Sequence, residues 1–311
     1  MLHGQSDECL RGANVRRAGR VRTSFAGWRA LPPSSRHGTV ASAVSAEAEA
    51  LAAANASGFG LAAYFCTRDL ARTFRVSRAL ERCMVCVRTG RSIMMKVFIV
   101  GIAGETGFRL ARMLKDRGDE VDGLYRRSDQ ARRLAGIGVA ATHGDLLHIQ
   151  ARQLAEAMRG SDAIVFSAGA GGESDEMTTA IDRDGVVKSI DAAGLAGVKR
   201  FLLVSVFPEA WRERHMDAGF EHYMAVKKQA DIALSESNLD WVILRPSALK
   251  NDPGVGTVSL AVAQIHTEVR RDDVAATLAE LVHAPAVSRK ILELTEGDTP
   301  IAEAVGALAC T

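Results

Sequence analysis

The chain has 311 residues, 47% of them hydrophobic, so it is long enough for one large domain or two ordinary ones. Its 39 basic and 37 acidic residues nearly cancel, which excludes a general attraction to nucleic acid or to an anionic membrane. We therefore expect a soluble, cytoplasmic protein, monomeric or homodimeric, whose partner is a small molecule.

The cysteines do not form a pattern typical of a disulfide framework or a metal site. There are five, an odd number, and four of them stand before residue 95. Cys83 and Cys86 form a single CxxC pair, but no second pair or histidine cluster stands at the spacing of zinc ligands. We predict no metal ion.

Residues 1–94 differ in composition from the rest of the chain. They contain 14 arginines and no lysine, whereas the remainder has 17 arginines and eight lysines. Three interpretations compete: an Arg-rich targeting peptide, a flexible or weakly helical appendage, and upstream sequence translated because the start codon was placed too early. Met94 and Met95 stand directly before the first convincing strand and favour the third interpretation. We expect the functional domain to span residues 95–311.

Strand and helix signals alternate from residue 95 onward. KVFIVG at 96–101 is the first strand, the segment after it is amphipathic, and EVDGLY at 120–125 is the second strand. Further strands are predicted in GVAATHG, DAIVFSAG, RFLLVSV and DWVILRP, with helices notably at 178–196 and 219–237. Parallel strands joined by helices need crossover connections, so the predicted fold class is α/β with a doubly wound parallel sheet.

The C-terminal segments predict a small lobe on the substrate side. RRDDVAATLAELV at 270–282 predicts an amphipathic helix with acidic caps at Asp272 and Asp273. ILELTEGDTPIAEAVGAL predicts a strand, a turn and a final helix. The lobe must be small because only about 90 residues follow the start of the helix at 219.

A glycine-rich turn joins the first strand to the first helix. In GIAGETG, Gly101 allows a tight turn, Gly104 lets the backbone approach a pyrophosphate, and Gly107 permits close packing of the helix. The amides at the start of the helix, around Glu105 and Thr106, are available to phosphate oxygens. This position between strand and helix indicates a dinucleotide site in a Rossmann fold, and the alternative is a glycine turn without a ligand.

The end of the second strand indicates which dinucleotide is preferred. NAD-binding sites normally place Asp or Glu there for the ribose hydroxyls, but YRRSDQ supplies Arg126 and Arg127. Guanidinium groups suit a 2′-phosphate, so we predict NADP(H) over NAD(H). The alternative is that both arginines are solvated loop residues.

Two later strand ends supply further cofactor candidates. Asp145 and Leu146 follow the third strand in HGDL, where Asp145 is placed to border the adenine. Ser167, Ala168 and Gly169 follow the fourth strand, and ligands in such sheets lie outside the carboxyl ends of the strands. The alternative for these three residues is an ordinary turn after a strand.

Residues 95–311 resemble the atypical short-chain dehydrogenase/reductase (SDR) proteins with an NAD(P)H-binding domain, including NmrA-like members. The resemblance rests on landmarks in family order: GIAGETG, YRRSDQ, HGDL, AAGLAGVKRFLLVS, HYMAVKKQADIALSESNLDWVILRPSAL and RRDDVA. It does not extend to residues 1–94.

The resemblance implies a catalytic YxxxK pair, Tyr223 and Lys227 in HYMAVKK, which a helix places one turn apart on one face. In the family's chemistry the tyrosine exchanges a proton with a carbonyl, while the lysine lowers the pKa of the phenol and binds the nicotinamide ribose. Ser205 is the candidate hydroxyl after the fifth strand, but Val206 stands where relatives usually have a second serine. The resemblance also places Pro246 near the nicotinamide, although a proline there can simply end the sixth strand.

The leading hypothesis is an NADPH-dependent oxidoreductase that transfers a hydride to a small carbonyl, quinone or flavin-like acceptor. A non-catalytic NADP(H)-binding regulator, like some NmrA-like relatives, is the alternative, and the missing second serine favours it. A sugar-nucleotide epimerase or dehydratase is a weaker third, since the extended members of the family devote a larger C-terminal domain to the sugar nucleotide.

Overall fold

The computed structural model describes residues 13–16, 21–24, 40–43, 62–67, 78, 84–89, 94–211 and 214–309. The chain divides into two compact units, Met1–Ser92 and Ile93–Thr311. The three interpretations of residues 1–94, and the CxxC pair, fall largely outside the described residues. Within those ranges, no helix has both the length and the apolar character needed to cross a membrane.

The described residues of the first unit include five strands in one sheet. They pair in the order β3-β2-β1-β4-β5, and β4 and β5 run parallel from Ala62 opposite Met84 to Thr67 opposite Thr89. The strands are β1 (Ala13–Arg16), β2 (Val21–Ser24), β3 (Val40–Ala43), β4 (Ala62–Thr67) and β5 (Met84–Thr89).

The second unit alternates strands and helices, as the sequence predicts. Its strands are β6 (Lys96–Val100), β7 (Glu120–Tyr125), β8 (Thr142–His143), β9 (Ala163–Phe166), β10 (Arg200–Val204), β11 (Asp240–Pro246), β12 (Ala248–Lys250), β13 (Thr257–Ala261), β14 (Glu268–Arg270), β15 (Lys290–Glu296) and β16 (Thr299–Pro300). Its helices are α1 (Glu105–Asp116), α2 (Ser128–Ala135), α3 (Ala151–Met158), α4 (Asp175–Thr178), a π-helix (Thr179–Asp184), α5 (Gly185–Ala196), α6 (Ala218–Ser235), α7 (Arg271–Val282) and α8 (Ile301–Leu308).

These strands form a nine-stranded sheet in the order β16-β13-β15-β11-β10-β9-β6-β7-β8. The seven strands from β15 to β8 are all parallel. Strands β7 and β8 are added on one side of β6, and β9, β10, β11 and β15 on the other, which is the strand order of a doubly wound fold. The α/β prediction is therefore confirmed, with one addition. Strand β13 runs antiparallel to β15 and to β16, so the sheet is mixed at that edge.

The alternation of buried residues along β6 explains the two layers of helices. Val97 and Ile99 pack on one face with residues of α1, α7 and α8, whereas Phe98 and Val100 pack on the other face with α3, α5 and α6. All four side chains are at most 1% exposed. A strand buried on both faces reads as a continuous apolar run, which is the pattern of KVFIV.

Arg200 ties the start of β10 to the end of α7. Its guanidinium donates to the carbonyl oxygens of Leu281 and Val287, each at 2.8 Å, and to Asp240 at 3.1 Å. The last carbonyls of a helix have no partner inside the helix, so this buried cation satisfies groups that would otherwise be orphaned.

Three local predictions need correction. The third strand is only Thr142–His143, two residues of the predicted GVAATHG. The helix predicted at 178–196 is interrupted by the π-helix, a local feature that follows from packing and not from periodicity. Asp272 and Asp273 do not cap α7, whose first flanking residue is Arg270; they lie in its first turn and accept hydrogen bonds from the 254–256 backbone.

Candidate active site

The glycine turn brings the ends of β6 and β9 into backbone contact. Gly101 has a φ of 87°, and a Cβ there would lie 2.5 Å from the backbone nitrogen of Ala168. A Cβ on Gly107 would lie 2.3 Å from the carbonyl oxygen of Gly101. Since no side chain fits at either position, the turn requires glycine for its shape.

The turn leads directly into the N-terminus of α1. Gly104 is extended and donates its N–H to the carbonyl of Gly101 at 2.9 Å, so the helix begins at Glu105. The first amides of a helix have no intrahelical acceptor and carry the positive end of the dipole. Arg109 donates to the Glu105 carboxylate at 2.6 Å, which lowers the pKa of that carboxyl, and Thr106 is buried. The shape of the turn and the free amides of α1 are compatible with a pyrophosphate, and Arg109 balances the charge of Glu105 beside them.

The two arginines at the end of β7 differ in their surroundings. Both donate their backbone N–H to Oε1 of Gln130, which fixes the start of α2. The guanidinium of Arg127 pairs with Asp129 at 3.1 Å, whereas the exposed Arg126 extends from the strand end just before it. The structure thus separates two residues that the sequence treats as equivalent.

The segment after β8 uses its polar groups locally. The Asp145 carboxylate accepts from the backbone of Leu147 at 3.0 Å, and the carbonyl of Leu146 accepts from Lys188 at 2.7 Å. The side chain of Leu146 packs against Gly185, where a Cβ would lie 2.8 Å from it. The contact of Asp145 and Leu146 with adenine stays a prediction.

The end of β9 lies beside the glycine turn, whereas the contact of Ser167, Ala168 and Gly169 with a cofactor stays a prediction. The Ser167 hydroxyl donates to the carbonyl of Val100 at 3.3 Å, and Ala168 contacts Gly101. Gly169 faces the carboxylate of Asp182, whose Oδ1 would lie 3.3 Å from a Cβ at that glycine. These residues therefore border both the proposed phosphate site and the buried acid of the π-helix.

Tyr223 and Lys227 lie one turn apart on α6, so the helical spacing expected of a YxxxK pair is present. Lys227 is 3% exposed and its Nζ donates to the carbonyl of Val204 at 3.0 Å, at the carboxyl end of β10. Burial raises the pKa of Tyr223 above its ordinary value of 10.0, and the nearby charge of Asp182 raises it further. This is the opposite of the lowering that the resemblance implies.

Sequence reasoning missed Asp182. Its Oδ1 lies 3.5 Å from Lys227 Nζ, and its Oδ2 accepts from the backbone of Ala170 at 2.9 Å. One signal was available: Asp182 stands four and seven residues before Val186 and Ser189, which the structure shows to be buried on one face. An acid at a core position of a helical pattern indicates a buried partner.

Ser205 follows Val204, whose carbonyl accepts from Lys227. It is 3% exposed, and its hydroxyl lies beside Asp231, which follows Lys227 by one turn on α6. Arg245 pairs with Asp231 at 2.8 Å. Burial raises the pKa of Asp231, while the Ser205 hydroxyl and the Arg245 charge oppose that rise. Pro246 is the last residue of β11, as its strand-ending alternative predicts.

A run of aromatic rings leads away from Tyr223. Its neighbour Phe220 lies 6.5 Å away between ring centroids, and Trp211 lies 6.0 Å from Phe220. His266 then lies 4.7 Å from Trp211 and 5.1 Å from Phe207, edge to face in both cases. We call these five residues the aromatic row. Such spacings are typical of rings that pack as a continuous apolar surface.

An open cavity of about 400 Å³ lies between α4, the π-helix and the start of α6. His222, the residue before Tyr223, shares its Nε2 between Thr179 Oγ1 at 2.8 Å and the carbonyl of Asp175 at 3.1 Å. The lining residues are Asp175, Glu176, Thr179, Ala180, Asp184 and His222. Three carboxylates make this cavity acidic.

A separate likeness begins in the unit Met1–Ser92 and extends into the start of the second unit. A model of the aldehyde dehydrogenase family matches residues 22–110, and glutarate-semialdehyde dehydrogenase from Pseudomonas putida is 54% identical over 44 residues. Those residues are 14% of this chain and 9% of that dehydrogenase. A likeness to so small a part of an enzyme does not bring its activity to this chain. None of the three interpretations of residues 1–94 anticipated it.

The second unit is similar to known proteins over nearly their whole length. The uncharacterized sugar epimerase YhfK of Bacillus subtilis is 39% identical over 68% of this chain and 99% of its own length. A putative NAD-dependent epimerase/dehydratase from Bacillus halodurans is 32% identical, with a TM-score of 0.63 over 68% of this chain and 99% of its own.

A reductase is among the similar structures. ChuY, an anaerobillin reductase from Escherichia coli O157:H7, is 29% identical, with a TM-score of 0.57 over 65% of this chain and 98% of its own. The family model described as NAD(P)H-binding matches residues 101–285, which contain the glycine turn, the β9 end and the Tyr223–Lys227 pair. The chain therefore belongs to the NAD(P)H-binding family of the atypical short-chain dehydrogenases/reductases.

Proposed function

We propose that the protein is an NADPH-dependent reductase that acts on a small planar acceptor, such as a conjugated carbonyl, a quinone or a flavin. The observation that carries this proposal is the position of Tyr223. It lies one turn before the buried Lys227, whose ammonium is held at the end of β10, and it begins the aromatic row. A proton donor thus stands between a cofactor site and an apolar surface.

The residues around the site divide the work. Gly101, Gly104 and Gly107 shape the turn that would hold the pyrophosphate, and Lys227, held at the carboxyl end of β10, would bind a ribose hydroxyl. When bound, NADPH supplies the hydride. Tyr223 is placed to donate the proton that the reduced acceptor takes up.

The preference for NADPH is carried by Arg126. Its guanidinium is exposed at the end of β7, whereas Arg127 already pairs with Asp129. Arg126→Ala is expected to raise the Kd of NADPH about tenfold or more, because a hydrogen bond to a charged group is lost, and to leave the Kd of NADH unchanged. Arg127→Ala is the matched control, with a smaller effect. Equal effects on both cofactors would remove the argument for a 2′-phosphate site.

The aromatic row favours a flat, conjugated acceptor. A quinone or an isoalloxazine ring buries apolar area against Phe220 and Trp211, which a short aliphatic aldehyde cannot match. The acidic cavity beside His222 disfavours substrates that carry phosphates, since three carboxylates repel them. Both features weaken the sugar-nucleotide alternative.

The test is NADPH oxidation followed at 340 nm with 1,4-naphthoquinone, riboflavin, an aromatic aldehyde, an aliphatic ketone and UDP-glucose. We expect turnover of the planar acceptors, and loss of carbonyl turnover in Tyr223→Phe without loss of NADPH binding. Trp211→Ala should raise the KM for naphthoquinone more than that for the ketone. Unchanged carbonyl turnover in Tyr223→Phe would refute the role of the phenol.

A second candidate is an NADP(H)-binding regulator without turnover. Two features favour it. The hydroxyl of Ser205 is buried beside Asp231, and Val206 stands where the family usually has a second serine. Under this alternative, NADPH binds tightly, but no acceptor in the panel oxidises it. A regulator would still respond to Arg126→Ala in binding.

A further inference from the structure

Lys227 and Asp182 form a buried charge pair beside Tyr223. Both side chains are 3% exposed, and their charged atoms lie 3.5 Å apart. Each has a second, fixed partner: the Val204 carbonyl for Lys227 at 3.0 Å and the Ala170 amide for Asp182 at 2.9 Å. Val204 is the last residue of β10, and Ala170 lies in the loop after β9, so both members of the pair are anchored by backbone groups.

This pair changes what Lys227 does for its neighbour. A lone ammonium one turn from a tyrosine stabilises the phenolate and lowers the pKa of the phenol. Here the carboxylate of Asp182 opposes that effect. Burial and then Asp182 raise the pKa of Tyr223 above 10.0, so the phenol keeps its proton at neutral pH.

Other charged groups lie on the elements packed around Tyr223. Arg245 on β11 is already neutralised by Asp231, and His222 bonds to Thr179. Among the charged groups on these elements, the Asp182 carboxylate raises the pKa of Tyr223, after burial itself. The groups are Asp182 and Asp184 on the π-helix, Asp175 on α4, His222 and Lys227 on α6, and Arg245 on β11.

We propose that Asp182 is a positioning residue that offsets the charge of Lys227 and keeps Tyr223 a neutral phenol, which donates a proton during reduction and does not serve as a phenolate base. The inference rests on the proposed reductase function. It assigns the π-helix a purpose, because that turn carries Asp182 to the loop that follows β9. With two of its three N–H groups directed at Val204 and Asp182, Lys227 has one left to offer to a ribose hydroxyl.

The proton transfer balances without a further reactant. When the carbonyl carbon accepts the hydride, the C=O π pair moves to oxygen and forms an alkoxide. The Tyr223 O–H bond then breaks, a new O–H bond forms on the alkoxide, and solvent returns a proton to the phenolate. An alkoxide is far more basic than a phenolate, so a neutral phenol is a sufficient acid. Alcohol oxidation needs the phenolate first, so its rate should rise with pH.

The test is a tyrosine titration of the full chain, followed as tyrosinate absorbance near 295 nm, with circular dichroism to confirm folding. The chain has only three tyrosines, Tyr64, Tyr125 and Tyr223. In the wild type, we expect Tyr223 to keep its proton up to about pH 11. The wild type and Tyr223→Phe should therefore show the same number of titrating phenols below that pH. In Asp182→Asn, one more phenol should titrate, with its pKa lowered by roughly one to three pH units.

Asp182→Asn is chosen because the amide oxygen can still accept from Ala170. Asp184→Asn is the matched control: it lies on the same π-helix, is exposed, pairs with Arg183, and should leave the titration unchanged. Lys227→Met should bring no new phenol into range, since it leaves the Asp182 charge in place. A purely structural Asp182 would lower stability in Asp182→Asn without a new titration.

Two results would overturn the inference. One is an ordinary or lowered pKa of Tyr223 in the wild type, which stands even if Asp182→Asn does not fold. The other is a folded Asp182→Asn whose tyrosines titrate like those of the wild type. The titration needs no cofactor or acceptor. If the wild type oxidises NADPH with an acceptor but Asp182→Asn titrates like the wild type, only the role of Asp182 is rejected. If Asp182→Asn shows the extra phenol but the wild type turns over no acceptor, only the reductase function is rejected.

Discussion

Gly107→Ala should expose how tightly the cofactor turn is built. The added methyl would lie 2.3 Å from the carbonyl oxygen of Gly101, whereas ordinary contact begins near 3.4 Å. The obstacle is backbone, which cannot rotate away, and the Ser167 hydroxyl lies 2.9 Å away on another side. Overpacking of this kind costs about 1–3 kcal/mol, against a gain in helix propensity of up to about 1 kcal/mol.

We therefore expect the free energy of unfolding to fall by about 1–2 kcal/mol in urea titrations. The Kd of NADPH should rise about tenfold or more, since the first amides of α1 shift with the turn. Gly194→Ala is the matched control: it lies in α5 with nothing within 4 Å of the new methyl, so it should stabilise the protein by about 0.5–1 kcal/mol. Equal stability of Gly107→Ala and wild type would refute the reasoning.

Three further predictions concern buried polar groups. Burial raises the pKa of Asp231 above 3.8, so between the two pKa values the folded state holds a proton that the unfolded state has released. The free energy of unfolding should therefore fall as the pH rises from about 4 through the raised pKa. In Asp231→Asn this fall should be less steep. Arg200→Met removes the cation that bonds to Leu281 and should lower stability by about 2–4 kcal/mol, measured by thermal unfolding, with a loss under 1 kcal/mol excluding this role. Asp273→Ala leaves two backbone amides at 255 and 256 without their acceptor, so it should cost about 1–3 kcal/mol and speed amide exchange there; unchanged exchange would contradict it.

The sequence was sufficient for most of the second unit because its strands are buried on both faces. Runs such as KVFIV and DWVILRP match the observed strands closely, since Lys96 and Asp240 mark where the apolar run begins and Pro246 where it ends. The glycine turn was equally readable, because its three glycines stand close together in one short segment between a strand and a helix, although the contact of Gly101 with Ala168 could not be read from that segment.

The rest of the site depends on contacts between distant segments. Asp182 meets Lys227 across 45 residues of sequence, so TAIDRD alone resembles an exposed, charged helix turn. Only the spacing of Asp182 to Val186 and Ser189 hints at burial, and the π-helix and the pairing of β12 with β14 have no local signature at all. Arg126 and Arg127 look alike in sequence, and only the position of Asp129 separates them.

The sheet ends in very short strands on both sides. At one edge β8 has two residues. At the other edge β16 has two residues, one of which is Pro300, and among the described strands it leaves three residues of β13 without a partner on that side. Few backbone amides are therefore open to pair with another strand, and proline cannot donate at all. Two copies of this unit have little means of fusing their sheets edge to edge. The edges of this nine-stranded sheet are thus poor templates for β-sheet aggregation.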